Sequence, residues 1–178
     1  VASWSSIDYT GRWKALQYRF REAFANVAIA VHHKDDKSID CYLINDAPYD
    51  VKGEWKVEVL NMQGENRQEL SSKTVTAKTN HSQKMCTVKP ADVKGVAIND
   101  AIVLIQFVVD GKVLAEKVAF FVKPKDLNLS KSDIKQEVRF YEDHFELKLS
   151  SPSFQYGVQI QETSGKQVKY SDNYFNLL

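Results

Sequence analysis

The apolar residues of this chain change their spacing near Asn26, from a helical period to a strand period. Before that point, one stripe of a short amphipathic helix is formed by Trp13, Leu16, Phe20 and Phe24. Beyond it, apolar and polar residues alternate, which is the period of a strand with one buried face. A single short helix is marginal in water, so its aromatic stripe needs a host surface. The pattern therefore predicts a mainly β chain with one helix that packs against something other than another helix of this chain.

The alternating part predicts strands at about 27–33, 38–45, 53–61, 67–78, 83–88, 101–109 and 113–122. Asp110-Gly111 between two apolar runs is typical of a type I′ hairpin turn, and Gln63-Gly64 marks another turn. Trp55 alternates with polar neighbours and is the predicted core tryptophan. Short strands at this spacing indicate an Ig-like β-sandwich, although the paired cysteines of antibody domains are lacking.

A polar, turn-rich segment at 124–134 is typical of a linker. Beyond it, alternation predicts three further strands near 138–140, 145–149 and 156–160, with Ser164-Gly165 as a turn. Three or four strands do not easily close a two-sheet core. We therefore expect the second β-sandwich to be incomplete.

Composition excludes some classes of partner. Lys and Arg number 24 against 23 acids, for a net charge of +1, so the chain has no electrostatic footprint for nucleic acid or for an anionic membrane. No apolar run approaches the length that spans a membrane. Cys41 and Cys86 do not make a disulfide framework. Cys41 alternates with Ile39 and Leu43 and is predicted to be a small buried core residue rather than half of a native disulfide.

Two segments contain histidines, a residue type that metal and catalytic sites use. His32-His33 precedes Lys34-Asp35-Asp36, which are plausible companions of a metal site. Adjacent residues of a strand point to opposite faces, however, and a lysine sits among the candidates, so a solvated hairpin is the better interpretation. His81 lies in a polar stretch and is predicted to be part of a loop.

Acidic residues and a histidine also lie together between the predicted strands near 138–140 and 145–149. Glu142, Asp143, His144 and Glu146 cluster at a predicted turn, and a turn is favoured over a catalytic carboxylate pair. No Gly-rich phosphate loop, Gly-x-Ser-x-Gly elbow or CxxC motif occurs. The sequence therefore assigns no catalytic, substrate-binding or metal residue and implies no cofactor.

Several motifs occur in one order along the chain. Ser3-Trp4-Ser5-Ser6-Ile7-Asp8-Tyr9 and Gly11-Arg12-Trp13-Lys14-Ala15-Leu16 are specific, and three weaker ones follow at 43–46, 119–127 and 171–175. Over essentially its whole length the chain resembles the C-terminal part of a β-mannosidase of glycoside hydrolase family 2. A departure is Tyr9-Thr10-Gly11, where a second aromatic or similar residue is expected before the glycine.

The resemblance implies three regions. Residues 1–25 correspond to the end of a (β/α)8 catalytic barrel, its last loop and helix. Residues 26–124 correspond to an Ig-like β-sandwich, and residues 125–178 to a linker and a truncated second Ig-like β-sandwich. The chain begins without Met, a charged n-region or an apolar h-region, so we expect it to be a C-terminal piece of a longer protein.

The resemblance also implies the parent activity, which is retaining hydrolysis of terminal β-mannosyl residues without a cofactor. Such enzymes use two carboxyl groups, and in this family both are glutamates on barrel strands that precede this segment. The chain alone is expected to be inactive and to buttress the barrel, while the β-mannoside oligosaccharide binds the missing catalytic domain. Neither nucleic acid nor a membrane is an expected partner, and the oligomeric state stays open. The location implied is periplasmic or secreted, or lysosomal in a eukaryote.

Alternatives remain open at this point. Family 2 also holds β-galactosidases and β-glucuronidases, and the specificity residues are absent. Trp4 lies on a predicted barrel loop and could edge the substrate cleft, but a wedge between the helix and its host is favoured. A stand-alone carbohydrate-binding module needs an aromatic platform, for which Tyr42, Tyr49 and Tyr156 are the candidates. A structural module that pairs through an open strand edge is the other alternative.

Overall fold

The computed structural model describes residues 4–163 and 168–178, so Ser3 and the predicted turn at Ser164-Gly165 lie outside the described residues. The chain divides into two compact units. The sandwich unit comprises Ala25–Leu129, and the composite unit comprises the residues before Ala25 together with Ser130–Leu178. The described chain is mainly β with one short α-helix, which confirms the predicted fold class.

Seven strands build the sandwich unit: β1 Val27–His33, β2 Ile39–Asn45, β3 Val51–Asn61, β4 Gln68–Ala77, β5 His81–Val88, β6 Ala101–Val109 and β7 Lys112–Ala119. They form a three-stranded sheet of order β1-β2-β5 and a four-stranded sheet of order β4-β3-β6-β7, each with antiparallel neighbours. The predicted strands are confirmed, although five of the seven differ from the prediction by one to three residues at one or both ends. The loop prediction for His81 is wrong, because His81 pairs with Asn45 and begins β5. The seventh strand ends at Ala119 instead of residue 122.

Both predicted turns are present. Asp110 and Gly111 have φ values of 49° and 74°, the left-handed pair that a type I′ turn between β6 and β7 requires. Gly64 also has a positive φ, of 75°, and its N–H donates to the Asn61 carbonyl at 2.9 Å. Local turn chemistry thus fixes the pairing of Val109 with Lys112, and a bulge between Phe107 and Val108 shifts the register of the rest of the pair.

The core of the sandwich unit lies between its two sheets. Inward positions of every strand contribute to it, and Trp55 in β3 is completely buried, as predicted. Cys41 in β2 is likewise completely buried. The packing is tight at Gly53, where an added Cβ atom would stand 2.6 Å from the Val108 carbonyl oxygen and 2.8 Å from the Phe107 ring. Only glycine therefore fits there without movement of the neighbouring strand.

Asn45 organises the connection from β2 to β3. Asn45 is fully buried, and its side-chain amide donates to the carbonyls of Tyr49 and Ala77, each at 2.9 Å. Its Oδ1 accepts from the Ala47 N–H at 2.9 Å. A buried amide must find hydrogen-bond partners, and these three hydrogen bonds give Asn45 a structural role in the motif at 43–46.

The composite unit contains α1 Ala15–Ala23, β8 Lys135–Phe140, β9 Phe145–Ser150, β10 Gln155–Val158 and β11 Phe175–Leu177. Its strands form two separate two-stranded sheets, β8-β9 and β10-β11, so the second sandwich is incomplete in the described residues. Tyr18 and Phe154 are its buried apolar side chains within that range. None of the helices in the described residues combines the length and apolar character needed to cross a membrane.

Candidate functional site

The loop that precedes α1 is organised by one carboxylate. Asp8 Oδ1 accepts from the Thr10 hydroxyl at 2.6 Å and from the backbone N–H groups of Thr10 and Arg12, each at 2.9 Å. Its Oδ2 accepts from Arg12 Nε at 3.1 Å. These hydrogen bonds, the Thr10 hydroxyl first, lower the pKa of Asp8 to about 2. Gly11, with φ +86°, completes the turn. Asp8 therefore shapes the loop as an ionised acceptor.

The same loop returns on itself before the helix begins. Ile7 pairs with Trp13 in an isolated antiparallel bridge, and the Lys14 N–H donates to the Ser6 carbonyl at 3.0 Å. Trp4, by contrast, is 98% exposed and packs against no part of the described chain. Neither a wedge role nor a place at a substrate cleft is tested by this exposure, so the role of Trp4 stays a prediction.

The face of α1 that is buried differs from the predicted stripe. Leu16, Phe20 and Phe24 are 46%, 40% and 79% exposed, whereas Tyr18 is only 7% exposed. The Tyr18 ring packs edge-on against Trp13, with ring centroids 5.3 Å apart, and against Tyr174 at 6.0 Å. The prediction that the stripe from Trp13 to Phe24 needs a host surface is not tested within this chain, where Tyr18 is the buried residue of α1. The partner of Tyr18 lies far along the sequence and could not be read from helical spacing.

Two arginines of α1 fasten it to the segment before β11. The Arg21 guanidinium donates to the Ser171 carbonyl and pairs with Asp172 Oδ1 at 2.8 Å. It also lies over the rings of Trp13 and Tyr18, 5.9 and 5.7 Å from their centroids, in cation–π geometry. Arg19 donates to the Tyr174 carbonyl at 2.7 Å. The motifs at the two ends of the sequence therefore meet in one cluster.

An open cleft of about 1160 Å³ lies in the composite unit between the Asp8 loop and the segments 159–162 and 168–174. Tyr9, Trp13, Tyr170 and Tyr174 supply aromatic rings, and amide and charged side chains supply hydrogen-bonding groups. Sequence reasoning did not find this cleft, because its walls come from opposite ends of the chain.

The histidine candidates are not gathered into a site. His32 and His33 are exposed at the end of β1, next to the solvated turn that leads to β2. Among the described residues, no group of three or more His, Cys, Asp or Glu side chains is placed to hold a metal ion.

The acidic cluster forms the β8–β9 hairpin, as the turn interpretation predicted. His144 Nδ1 lies 2.7 Å from Asp143 Oδ1, and the His144 ring stacks on Tyr141 with centroids 4.6 Å apart. The Tyr141 hydroxyl donates to Glu146 Oε2 at 3.1 Å. These carboxylates lie at the surface and are held by neighbours in the hairpin. The arrangement is that of a stabilised turn.

The tyrosines considered as an aromatic platform do not share a face. Tyr42 is half-buried in β2, and Tyr49 is 62% exposed in the loop that follows it. Tyr156 is 49% exposed but belongs to β10 of the composite unit. No single sandwich face therefore presents all three rings to a carbohydrate.

The fold and the site geometry together define a class of protein, with tandem Ig-like β-domains and an additional helix. The described residues of this chain hold no cluster of catalytic groups. Residues 37–126 match the family model described as the mannosidase Ig/CBM-like domain, and residues 129–178 match the model of an Ig-fold domain of mannosidases. The chain belongs to the mannosidase Ig/CBM-like domain family. The resemblance to the Ig-like region of family 2 glycoside hydrolases is thereby confirmed. No curated protein matches the chain significantly.

Two solved structures share the fold over 98% of this chain. A β-D-mannosidase from Dictyoglomus thermophilum superposes with a TM-score of 0.81 at 18% identity, and the chain covers 21% of it. An exo-chitosanase from Amycolatopsis orientalis superposes with a TM-score of 0.61 at 16% identity, and the chain covers 24% of it. The chain thus spans between a fifth and a quarter of these enzymes, and at such identities the likeness shows the fold alone.

Proposed function

We propose that this chain is the non-catalytic accessory region of a β-mannosidase that hydrolyses terminal β-mannosyl residues with retention of configuration. In this proposal residues 1–25 close the catalytic barrel, and the two Ig-like domains buttress it. Two observations support the proposal. The family models match the chain in the expected order, and the fold likeness to a β-D-mannosidase extends over 98% of the chain.

The observation that carries the accessory role is the free apolar face of α1. Tyr18, Arg19 and Arg21 face the composite unit, but Leu16, Phe20 and Phe24 remain exposed. The rings of Phe20 and Phe24 already pack edge-on, 5.7 Å apart. A contiguous exposed apolar patch on a short helix marks an interaction surface. We assign the outer wall of the catalytic barrel as the surface that covers this patch.

The sugar specificity is a separate part of the proposal. The fold likeness to an exo-chitosanase means that this architecture accompanies more than one substrate. A β-galactosidase or β-glucuronidase parent is therefore the alternative. The proposed partner is a β-mannoside oligosaccharide bound by the catalytic domain, and the proposed location is periplasmic or secreted, or lysosomal in a eukaryote.

The activity is tested with the full-length gene product on the p-nitrophenyl β-glycosides of mannose, galactose and glucuronic acid, with the 178-residue chain as the blank. We expect turnover of the mannoside by the full-length protein alone. Turnover of another glycoside keeps the accessory role and replaces the substrate. Turnover by the short chain contradicts the accessory role.

The docking of α1 is tested by a double change, Phe20→Ala with Phe24→Ala, made in both proteins. In the full-length protein we expect a loss of roughly 3 kcal/mol or more of unfolding free energy, because both rings are then buried. In the 178-residue chain the same change should cost about 1 kcal/mol or less, since both side chains are substantially exposed. The matched control is Val113→Ala with Leu114→Ala, at positions 50% and 49% exposed. Equal losses in the two proteins contradict the assignment.

A further inference from the structure

Two free cysteines face each other across neighbouring strands of the sandwich unit. Cys41 in β2 is the direct partner of Cys86 in β5 in the antiparallel register. Directly opposed residues of an antiparallel pair have Cα atoms about 4.5 or 5.5 Å apart, according to the kind of pair. Both values lie within the range of about 4.4–6.8 Å that a disulfide spans. Strand pairing therefore brings the two Cα atoms within the range that a disulfide spans.

A β-bulge in β5 turns the side chains of both Met85 and Cys86 toward the core. The register passes from Cys41–Cys86 directly to Tyr42–Lys84, so Met85 is the extra residue on β5. Met85 and Cys86 are both partly buried and both pack against the core. Cys41 is completely buried, whereas Cys86 is only half-buried. Of the two residues, Cys86 is therefore the more accessible to an external reagent.

The surroundings of Cys86 favour its thiolate. The buried indole N–H of Trp55 has no hydrogen-bond partner among the described residues, and the indole lowers the pKa of the neighbouring Cys86 thiol. Lys73 donates to the Met85 carbonyl at 3.3 Å, which brings an ammonium group beside Cys86. The Cys41 thiol, Trp55 and Lys73 together lower the pKa of Cys86, while the same thiol contact and burial raise the pKa of Cys41. The difference in burial makes the half-buried Cys86 the nucleophile of the pair and leaves the completely buried Cys41 as the resolving thiol.

We propose that Cys41 and Cys86 form a reversible cross-strand disulfide by exchange with a small-molecule disulfide. The Cys86 thiolate attacks one sulfur of the reagent, forms a mixed disulfide and releases one thiolate. Cys41 then loses its proton and attacks the Cys86 sulfur, which expels the second thiolate. One reagent disulfide is reduced to two thiols, and the two protein thiols are oxidised to one disulfide. A dithiol reductant reverses the sequence.

The bond would join β2 to β5 where the bulge interrupts their ladder. It closes a long loop of the sequence and therefore restricts the unfolded chain. It also places a disulfide beside the core tryptophan Trp55, where tryptophan emission is quenched. Oxidation is thus expected to have two independent readouts, one in stability and one in fluorescence.

The test uses the native protein and oxidised glutathione as the reagent. We expect both thiols to disappear in a titration under denaturing conditions, with a peptide map that links Cys41 to Cys86 and no retained glutathione. The Tm should rise by at least about 5 °C and return after treatment with dithiothreitol. A lasting glutathione adduct at Cys86, or two unreacted thiols, overturns the proposal.

Single variants separate the roles of the two cysteines. Cys41→Ala should stop at the Cys86–glutathione adduct, and Cys86→Ser should not react in the folded state. Lys73→Gln should slow the first step by roughly three- to tenfold near neutral pH, whereas the exposed control Lys52→Gln should not. If Cys41→Ala does not fold, the peptide map of the wild-type protein still decides the linkage. An adduct on Cys41 in Cys86→Ser, or equal rates for the two lysine variants, contradicts the assigned order of attack.

Discussion

The two units of this chain are held together in different ways. In the sandwich unit, each of the seven strands sends side chains into one core, which includes the completely buried Trp55 and Phe107. In the described part of the composite unit, Tyr18 and Phe154 are the buried apolar side chains, and every residue of β8 is exposed. Cation–π contacts and ion pairs around Arg21 take the place of a core there. A two-sheet core stabilises itself, whereas isolated two-stranded sheets need another surface.

The largest expected effect is on the sandwich unit. Trp55→Ala removes a completely buried ring from its core and should cost about 3–5 kcal/mol of unfolding free energy. Chemical denaturation followed by circular dichroism measures the loss. The control Val113→Ala, at a half-exposed position, should change the value by less than about 0.5 kcal/mol. Similar losses for the two variants contradict the picture of one dominant core.

An intermediate effect is expected in the composite unit. Arg21→Met keeps the apolar stem of the side chain and removes its contacts with the Trp13 and Tyr18 rings and with Asp172. Because the ion pair is about half exposed, we expect a loss of only about 1 kcal/mol.

The readout for Arg21→Met is amide hydrogen exchange. Faster exchange should be confined to Ala15–Ala23 and the segment before β11, with β1 to β7 unchanged. The control Arg67→Met removes the exposed ion pair with Glu58 in the sandwich unit and should leave exchange in α1 as it was. Faster exchange in both units after Arg21→Met contradicts a stabilising role of Arg21 that is confined to the composite unit.

The smallest expected effect is a pH dependence of the sandwich unit. Asp40 pairs with Lys84 at 2.8 Å and Lys34 at 3.2 Å, and it accepts from the Thr87 hydroxyl at 2.6 Å. The Lys84 contact, followed by that of Thr87, holds the pKa of Asp40 well below its usual range. The folded state therefore binds a proton less readily than the unfolded state. The stabilisation is complete above the unfolded pKa of about 3.9 and is lost as the pH falls below it.

Urea denaturation between pH 6 and pH 3 measures this dependence. The wild-type protein should lose more unfolding free energy over the acid part of the range than Asp40→Asn does, while the exposed control Asp35→Asn should follow the wild type. Parallel curves for the wild type and Asp40→Asn contradict the role of these ion pairs.

The sandwich unit was largely predictable because its signals are local. Alternation gave the strands, and the dipeptide Asp110-Gly111 gave a turn that its positive φ angles confirm. The start of β5 was missed because His81 is polar and its strand character comes from pairing with Asn45. Propensity over a few residues cannot report a partner strand.

The composite unit was less predictable because its contacts are distant in sequence. The stripe from Trp13 to Phe24 was visible, but the choice of Tyr18 as the buried residue depends on Tyr174. The cleft was not predictable for the same reason, since the residues of its two walls are separated in the sequence by the entire sandwich unit. One local signal was overlooked: Asp8 followed by Gly11 is typical of a loop in which the carboxylate caps backbone N–H groups.

The hydrogen bond from Arg19 to Tyr174 joins residues 155 positions apart and has a consequence for synthesis. A ribosome releases α1 before the sandwich unit, and the complete sandwich unit follows before the segment that receives Arg19 and Arg21 is made. The sandwich unit can therefore fold while the chain still grows, because all its strands lie within Ala25–Leu129. Through that interval the helix lacks the contacts that Tyr18, Arg19 and Arg21 make with residues 171–174. During translation, the earliest part of this chain is thus among the last to reach its final contacts.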